Sequence, residues 1–377
     1  MNKSDLKRDY PMLRGRFAKK GYDWWWHNFT AVSEKTGEER SFFIEYFTCN
    51  PDLAKEIPVL GQLKENQDFG NRPSYLMVKC GWWGKNATQL HRFFSWDDTE
   101  VYFTKEYGYG VKARNCFASE TLLRGSAEIS EEDSKNHPEY MCDAGSMEWE
   151  IEVEKQVAFN VGYGSGDFFR FLTAFEMYWH AEGMKSKYSG YVIANGEKFL
   201  VKPELSFGYA DKNWGADFTS PWVWLSSNDL VSKITGKRLE NSVFDIGGGR
   251  PKAFGIAMNR QLLSDFWYEG KSYEFNFSKF WTGCKTKFDC KETEKEINWY
   301  IRQETHKAVM ETNITCQKED MLLVNYEAPD GKKRHNRLWN GGNGKGTVKL
   351  FKKKGKQLNL IDEVEAGHIG CEFGEYC

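Results

Sequence analysis

Residues 146–157 read Ser-Met-Glu-Trp-Glu-Ile-Glu-Val-Glu-Lys-Gln-Val, and this stretch indicates the fold class of the chain. Apolar side chains occupy every second position from Met147 to Val153, and glutamates occupy the positions between them. Because successive side chains of a β-strand point to opposite faces, this alternation predicts a strand with one buried and one solvated face. Strands of that kind are typical of antiparallel sheets.

Similar strand patterns recur along the whole chain, whereas helix patterns are few. Further predicted strands lie at residues 41–48, 75–83, 88–96, 100–104, 297–303, 321–326 and 346–351. The pair Asn195-Gly196 separates two such runs and suits the positive φ angles of a two-residue type I′ turn. We therefore predict an all-β protein with antiparallel β-barrels or sandwiches and few short helices.

The length of the chain predicts two domains. With 377 residues it exceeds the size at which one hydrophobic core usually stops growing. The clearest change in composition lies near residue 190. We therefore predict an N-terminal β domain at residues 1–189 and a C-terminal β domain at residues 190–377.

Charge and hydrophobicity exclude several classes of partner. The formal net charge of −2 argues against binding to nucleic acid or to an anionic membrane through charge. No apolar run reaches the roughly 18 residues of a membrane span. The first 16 residues are charged and lack the apolar stretch of a signal peptide. A cytoplasmic protein without a membrane span or a nucleic-acid partner is the expectation.

The cysteines and histidines do not predict a metal site. The nine cysteines include no Cys-x-x-Cys pair, and the histidines show neither His-x-His nor His-Glu-x-x-His spacing. We expect neither a metal nor a cofactor. Aromatic residues make up 16% of the chain and include 15 tryptophans. They can either line a ligand cavity or fill the cores of ordinary sheets.

Residues 208–215, Gly-Tyr-Ala-Asp-Lys-Asn-Trp-Gly, followed by Pro-Trp-Val-Trp at residues 221–224, form the most specific motif. They resemble the signature of the tocopherol cyclase-like proteins, in which an aromatic residue, an acid and Lys-Asn-Trp-Gly precede Pro-Trp-x-Trp. The acid here is Asp211 instead of the glutamate of the plant cyclases. A Tyr-x-Asp in this position also resembles carotenoid 1,2-hydratase (hydroxyneurosporene synthase) and its AttH-like relatives.

Other stretches support the resemblance in both halves of the chain. They lie at residues 24–27, 179–184, 247–250 and 270–275. The resemblance implies two lipocalin-like domains and an activity that begins by protonating an isolated alkene. Water captures the resulting carbocation in the hydratase, and an internal phenol captures it in the cyclase.

Such chemistry needs an acid that stays protonated near neutral pH. Full burial of a carboxyl group raises its pKa by as much as roughly 3–5 units. Aromatic faces around the cation each contribute about 0.5–2 kcal/mol. On a strand, Tyr209, Asp211 and Asn213 share one face, whereas Lys212 and Trp214 point the other way.

The resemblance implies that Asp211 is the general acid, with Tyr209 and His180 hydrogen-bonded to it. The alternative is that Asp211 and Lys212 form an ordinary turn or ion pair and that Trp214 closes a core. Glu45 is either a second acid or an outward residue of an alternating strand, and Glu182 is the best alternative acid. His27 either faces the same cavity or is packed and hydrogen-bonded. The predicted substrate contacts are Trp26, His27, Glu45, Trp179, Glu182, Asn213, Trp214, Trp222 and Trp224.

We therefore expect a cofactor-independent lyase or isomerase that hydrates or cyclises an apolar alkene by protonating its C=C bond. The expected partner is a hydrophobic small molecule of isoprenoid-like or polyketide-like character. Two alternatives stay open. One is a non-catalytic lipocalin-like carrier, and the other is a pericyclase whose cavity folds a polyene. The sequence identifies neither the substrate nor the oligomeric state.

Overall fold

The computed structural model of the chain describes residues 8–161, 172, 174–332 and 334–374. Within these residues the chain consists mainly of antiparallel β-strands and divides into two compact units. The first unit comprises Met1–Asn160, Met177–Phe218 and Val324–Asn336. The second comprises Val161–Glu176, Thr219–Leu323 and Arg337–Cys377.

The strands of the first unit form a 12-stranded antiparallel sheet in the described residues. Its order is β4-β3-β2-β1-β11-β10-β9-β8-β7-β6-β5, and β12 pairs with both β1 and β10. These strands are β1 (Tyr22–Ser33), β2 (Glu39–Cys49), β3 (Tyr75–Trp82), β4 (Thr88–Phe94), β5 (Thr99–Thr104), β6 (Gly108–Ala113), β7 (Cys116–Ser119), β8 (Leu122–Ile129), β9 (Gly145–Phe159), β10 (Met177–Ala194), β11 (Glu197–Val201) and β12 (Gly208–Gly215).

The remaining strands include an 11-stranded sheet of order β19-β18-β15-β13-β25-β24-β22-β21-β20, in which β14 pairs with β25 and β23 pairs with β24. A short hairpin joins β16 to β17. These strands are β13 (Trp222–Ser227), β14 (Asp229–Ser232), β15 (Val243–Gly249), β16 (Lys252–Ala253), β17 (Ile256–Ala257), β18 (Gln261–Tyr268), β19 (Lys271–Phe275), β20 (Lys285–Glu292), β21 (Glu296–Glu304), β22 (Ala308–Gln317), β23 (Met321–Glu327), β24 (Arg334–Lys354) and β25 (Gln357–Gly374).

Helices are few and short. Two α-helices, α1 (Lys64–Phe69) and α2 (Glu131–Asn136), accompany four short 3₁₀ segments among the described residues. None of the helices that the structure describes has the length and apolarity needed to cross a bilayer. The predicted fold class, all-β with antiparallel sheets and few short helices, is confirmed.

Strand β9 shows the alternation that its sequence predicts. Met147, Trp149, Ile151 and Val153 are buried in the core of the first unit, whereas the glutamates between them are exposed. The hairpin after β10 also matches its sequence, because Asn195 and Gly196 both have positive φ angles, 47° and 80°. Local pattern and turn chemistry therefore specify this part of the sheet.

Strand β1 is different, because nearly all of its side chains on both faces are buried. Trp25, Phe29 and Ala31 point into the core of the first unit. The even-numbered residues of the strand, Trp24 and Trp26 among them, lie on the opposite face of the sheet. This opposite face carries the candidate site described below.

The predicted boundary between residues 189 and 190 falls inside β10. Ser189 and Gly190 both pair with β9, opposite Glu152 and Ile151. A Cβ atom at position 190 would lie 2.1 Å from the carbonyl oxygen of Glu150, so the strands can approach this closely only at a glycine. The change in composition near residue 190 therefore reflects strand packing and does not end a strand.

The two faces of β9 give a direct test of the fold. We expect Ile151→Ala to lower the free energy of unfolding by about 2–5 kcal/mol, because it leaves a cavity in a close-packed core. Glu152→Ala, a change on the exposed face of the same strand, should change it little. Chemical denaturation of both variants measures the difference. Equal losses of stability would contradict the assignment of faces.

Candidate active site

Four residues on neighbouring strands of the first unit lie in one row across the sheet. Three of them are charged residues and one is a tryptophan. Asp211 on β12 pairs with Trp26 on β1. Trp26 pairs with Glu45 on β2, and Glu45 pairs with Lys79 on β3. Directly paired residues of antiparallel strands point to the same face. All four side chains therefore share the face opposite the core of the first unit.

The carboxyl group of Asp211 is held by three donors. Trp179 Nε1 donates to Oδ2 at 2.9 Å, and Trp24 Nε1 donates to Oδ1 at 3.3 Å. The hydroxyl of Tyr209 lies 3.3 Å from Oδ2. Asp211 is 7% exposed. The structure thus contains the predicted contact between Tyr209 and Asp211, and it adds two tryptophans as partners.

Trp24 connects Asp211 to a group of aromatic rings. Its ring centroid lies 5.3 Å from that of Tyr22, 5.8 Å from that of Phe218 and 5.6 Å from that of Tyr326. Trp24 is itself partly exposed, whereas its neighbours are buried. Aromatic faces next to a carboxyl group can stabilise a cation that forms there.

Glu45 lies at the second polar position of this face. Tyr326 donates its hydroxyl hydrogen to Glu45 Oε2 at 2.9 Å, and Lys79 Nζ lies 3.2 Å from the same oxygen. The Lys79 ammonium also lies 3.3 Å from the centroid of the Tyr326 ring. Burial raises the pKa of Glu45, and the positive charge of Lys79 opposes that shift.

Two other predicted residues of this face have packing and hydrogen-bonding partners. Asn213 accepts a hydrogen bond from the Tyr22 hydroxyl at 2.7 Å. Trp26 donates Nε1–H to Asn28 at 3.1 Å, and its ring stacks on Phe43. The predicted contact Trp26 therefore donates its indole N–H to Asn28, whereas its neighbour on the same face, Trp24, donates to Asp211.

His180 lies elsewhere, and this part of the prediction is corrected. It pairs with Lys212, which points away from the face of Asp211. Its Nε2 lies 3.2 Å from Oδ1 of Asp9, a buried residue of the N-terminal segment. The pairing of β10 with β12 sets this orientation, and a single sequence does not reveal it.

Glu182 shares the environment of His180, as its spacing predicts. Glu182, Asp9 and Glu120 bring carboxylate oxygens within 4.8 Å of one another, a spacing suited to a metal ion. Lys155 Nζ, however, lies 2.5 Å from Glu120 and 2.9 Å from Glu182. The carboxylates are therefore already held by a cation that belongs to the chain.

The pKa shifts of this buried group follow from its charges. Burial raises the pKa values of Asp9 and Glu182 well above their usual range, and Lys155 opposes both shifts. Burial lowers the pKa of Lys155, but attraction to Glu120, Glu182 and Asp9 outweighs it, and the net shift is upward. Near neutral pH the lysine is thus charged, and Asp9 and Glu182 retain protons more readily than exposed carboxyl groups do.

His27 and Trp214 also point away from Asp211. His27 lies 2.9 Å from the Tyr188 hydroxyl and 3.2 Å from the Tyr109 hydroxyl. Burial lowers the pKa of His27 well below its usual value, so its imidazole is neutral. Trp214 stacks on Tyr178 with ring centroids 5.6 Å apart. These contacts match the packed and hydrogen-bonded alternative for His27.

Trp222 and Trp224 belong to the second unit. Trp222 donates Nε1–H to Glu372 at 2.5 Å, and Trp224 donates Nε1–H to Asp245 at 3.1 Å. Both tryptophans are buried. Their indole groups thus have carboxylate partners within their own unit.

Sequence reasoning missed Trp24, Lys79 and Tyr326. The alternation of β1 could have revealed Trp24, because it lies on the same face as Trp26. Lys79 lies in a predicted strand, in the sequence Met-Val-Lys-Cys, where a charged residue among apolar ones is a usable signal. Tyr326 is 281 residues from Glu45 in the sequence, and no local pattern connects them.

The buried pair of Glu45 and Lys79 predicts a specific pattern of stability. We expect Lys79→Met to lower the free energy of unfolding by about 3–5 kcal/mol, because it leaves a buried carboxylate without its cation. The double variant Glu45→Met/Lys79→Met should be more stable than this single variant. Lys135→Met, which breaks the exposed pair with Glu131, is the control and should change stability little. A double variant less stable than Lys79→Met would contradict the pairing.

Comparisons with known proteins identify the family. A probable chloroplastic tocopherol cyclase of Oryza sativa subsp. japonica is 33% identical over 109 residues, which are 29% of this chain and 21% of that protein. The chain thus matches about a fifth of the length of this relative.

Solved structures with low sequence identity align over most of the chain. A putative AttH from Nitrosomonas europaea has a TM-score of 0.44 and 12% identity, covering 95% of this chain and 97% of that one. Kievitone hydratase from Nectria haematococca has a TM-score of 0.49 and 11% identity, covering 97% and 93%. The sequence model of the tocopherol cyclase-like family matches residues 59–375. The chain belongs to the tocopherol cyclase-like family.

Proposed function

We propose that the protein is a hydratase or cyclase that protonates a C=C bond of an apolar small molecule, with Asp211 as the general acid. The observation that supports this most strongly is the carboxyl group of Asp211, buried beside aromatic rings and held by Trp24, Trp179 and Tyr209. Membership of the tocopherol cyclase-like family supports the same class of reaction.

The three donors orient the acid. Indole N–H groups can only donate, whereas the Tyr209 hydroxyl can either donate or accept. A protonated carboxyl oxygen keeps a lone pair, so the bonds from Trp24 and Trp179 persist in the neutral acid. A proton on Oδ1 then lies beside Trp24, the partly exposed ring of this group. This is where an alkene would meet the acid.

The aromatic rings supply what the cation needs. Transfer of the proton to one alkene carbon leaves a positive charge on the other carbon and a carboxylate on Asp211. The rings of Trp24, Phe218 and Tyr326 stack beside the acid, and an aromatic ring that contacts the cation contributes about 0.5–2 kcal/mol. The cation then forms a C–O bond with water or with a hydroxyl of the substrate, and the proton lost from that oxygen passes to a carboxylate or to water, so that Asp211 is reprotonated before the next turnover. One alkene carbon is formally reduced and the other is oxidised, so the reaction is redox-neutral overall and consumes no electron carrier.

The test uses Asp211→Asn, which keeps the size of the side chain and removes the transferable proton. We expect turnover of 2-prenylphenol to fall roughly 100-fold or more, the usual loss on removing a general acid, while binding changes only a few-fold. Mass spectrometry in deuterated water follows the reaction, because the wild-type product should carry one deuterium on carbon.

The exposed Asp68→Asn variant is the control and should retain activity. Unchanged turnover by Asp211→Asn would remove Asp211 from the mechanism. Mass spectrometry of material extracted from the purified protein should identify a hydrated or cyclised product. Recovery of a ligand that the protein never converts would instead favour the carrier alternative.

A further inference from the structure

One oxygen atom of the candidate site is left without a hydrogen bond. Glu45 is fully buried, and its Oε1 has no hydrogen-bond partner among the residues that the structure describes. Both nearby donors, the Tyr326 hydroxyl and the Lys79 ammonium, lie at Oε2 instead. A buried carboxylate oxygen without a donor is unfavourable, so a donor from outside the chain is expected to reach it.

The position of Glu45 relative to Asp211 suggests which donor that is. The two residues lie in one row, separated by β1, so their backbones are two strand spacings or roughly 10 Å apart. Between them stand Trp24, which donates to Asp211, and Tyr326, which donates to Glu45, with ring centroids 5.6 Å apart. These two stacked rings therefore connect the two carboxyl groups through their hydrogen bonds.

We propose that Glu45 Oε1 accepts a hydrogen bond from a hydroxyl group of the substrate and serves as the base of the reaction. This inference rests on the proposed function and adds a second group to it. Glu45 binds the O–H donor in the resting complex and takes its proton when the oxygen attacks the cation.

The step balances with the two carboxyl groups alone. The proton of Asp211 forms a new C–H bond, and the substrate oxygen forms the new C–O bond. The O–H bond of the substrate breaks, and its proton passes to the Glu45 carboxylate. One proton has then moved from Asp211 to Glu45 overall, and exchange with solvent after product release restores both groups.

The surroundings of Glu45 suit a base. Burial raises the pKa of its carboxyl group, which strengthens the carboxylate as a proton acceptor. Lys79 favours the charged form that must be present before the reaction. With both donors fixed at Oε2, the free lone pairs of Oε1 remain available to the substrate.

Binding of unreactive probes tests the inference without catalysis. We expect the wild-type protein to bind 2-propylphenol roughly 10-fold or more tightly than 2-propylanisole, because only the phenol donates a hydrogen bond to a carboxylate. Isothermal titration measures both affinities. In Glu45→Gln, Tyr326 and Lys79 hold the amide oxygen at the Oε2 position, so the amide NH₂ occupies the Oε1 position and the preference should disappear.

Two further variants separate this role from a merely structural one. Glu45→Met/Lys79→Met replaces the whole buried pair with apolar side chains, which proteins tolerate better than a broken pair, and it should also lose the preference. Glu327→Gln alters another buried carboxylate that accepts from a tyrosine, Tyr75 at 3.0 Å. This matched control should keep the preference for the phenol.

The reactive probes distinguish this inference from the proposed function. Glu45→Gln should lose cyclisation of 2-prenylphenol by at least about 10-fold while still hydrating 2-prenylanisole, which has no hydroxyl hydrogen. Asp211→Asn should lose both reactions. Equal wild-type binding of 2-propylphenol and 2-propylanisole would assign Oε1 to an internal water and overturn the inference. An undiminished phenol preference in Glu45→Gln would overturn it as well.

Discussion

Burial of both faces of strand β1 is the constraint on which the rest of the first unit depends. A strand with one wet face, such as β9, leaves its polar groups to solvent, but both faces of β1 are covered, and buried polar groups near it need partners other than bulk water. Lys79 is paired with Glu45, Lys155 with Glu120 and Glu182, and Lys212 with Asp23. The aromatic composition follows from the same constraint, because large rings fill the space on either side of the strand.

The alternation of the strands separates two chemically different groups of residues that are close in the sequence. Asp211 faces aromatic rings and indole donors, whereas its neighbour Lys212 reaches Asp23 on the opposite face. The alternative of an ion pair between Asp211 and Lys212 therefore does not fit the register, because adjacent residues of a strand point apart. One face concentrates cation-stabilising rings around a carboxyl group, and the other neutralises charge within the core.

Much of this arrangement could be predicted from local sequence. The alternation of residues 146–157 gave the strand and its faces, Asn195-Gly196 gave the hairpin, and the Tyr-x-Asp-x-Asn spacing gave the shared face of Tyr209, Asp211 and Asn213. The contacts that local sequence did not predict depend on pairing between distant segments of the chain. The family resemblance predicts that His180 contacts Asp211, but the register of β10 against β12 turns it towards Asp9. Tyr326 reaches Glu45 from a distant segment, and no periodicity carries that information.

The first unit is assembled from three separate segments, and the last of them, Val324–Asn336, supplies Tyr326. This order has a consequence for biosynthesis. While the ribosome is still making the second unit, Glu45 and Lys79 have already emerged but lack their tyrosine partner. The site of the first unit can be completed only after residues 324–336 have emerged. A nascent or truncated chain that ends before residue 324 therefore lacks the tyrosine that covers Glu45 and Lys79, even though the twelve strands of the first sheet have been synthesised.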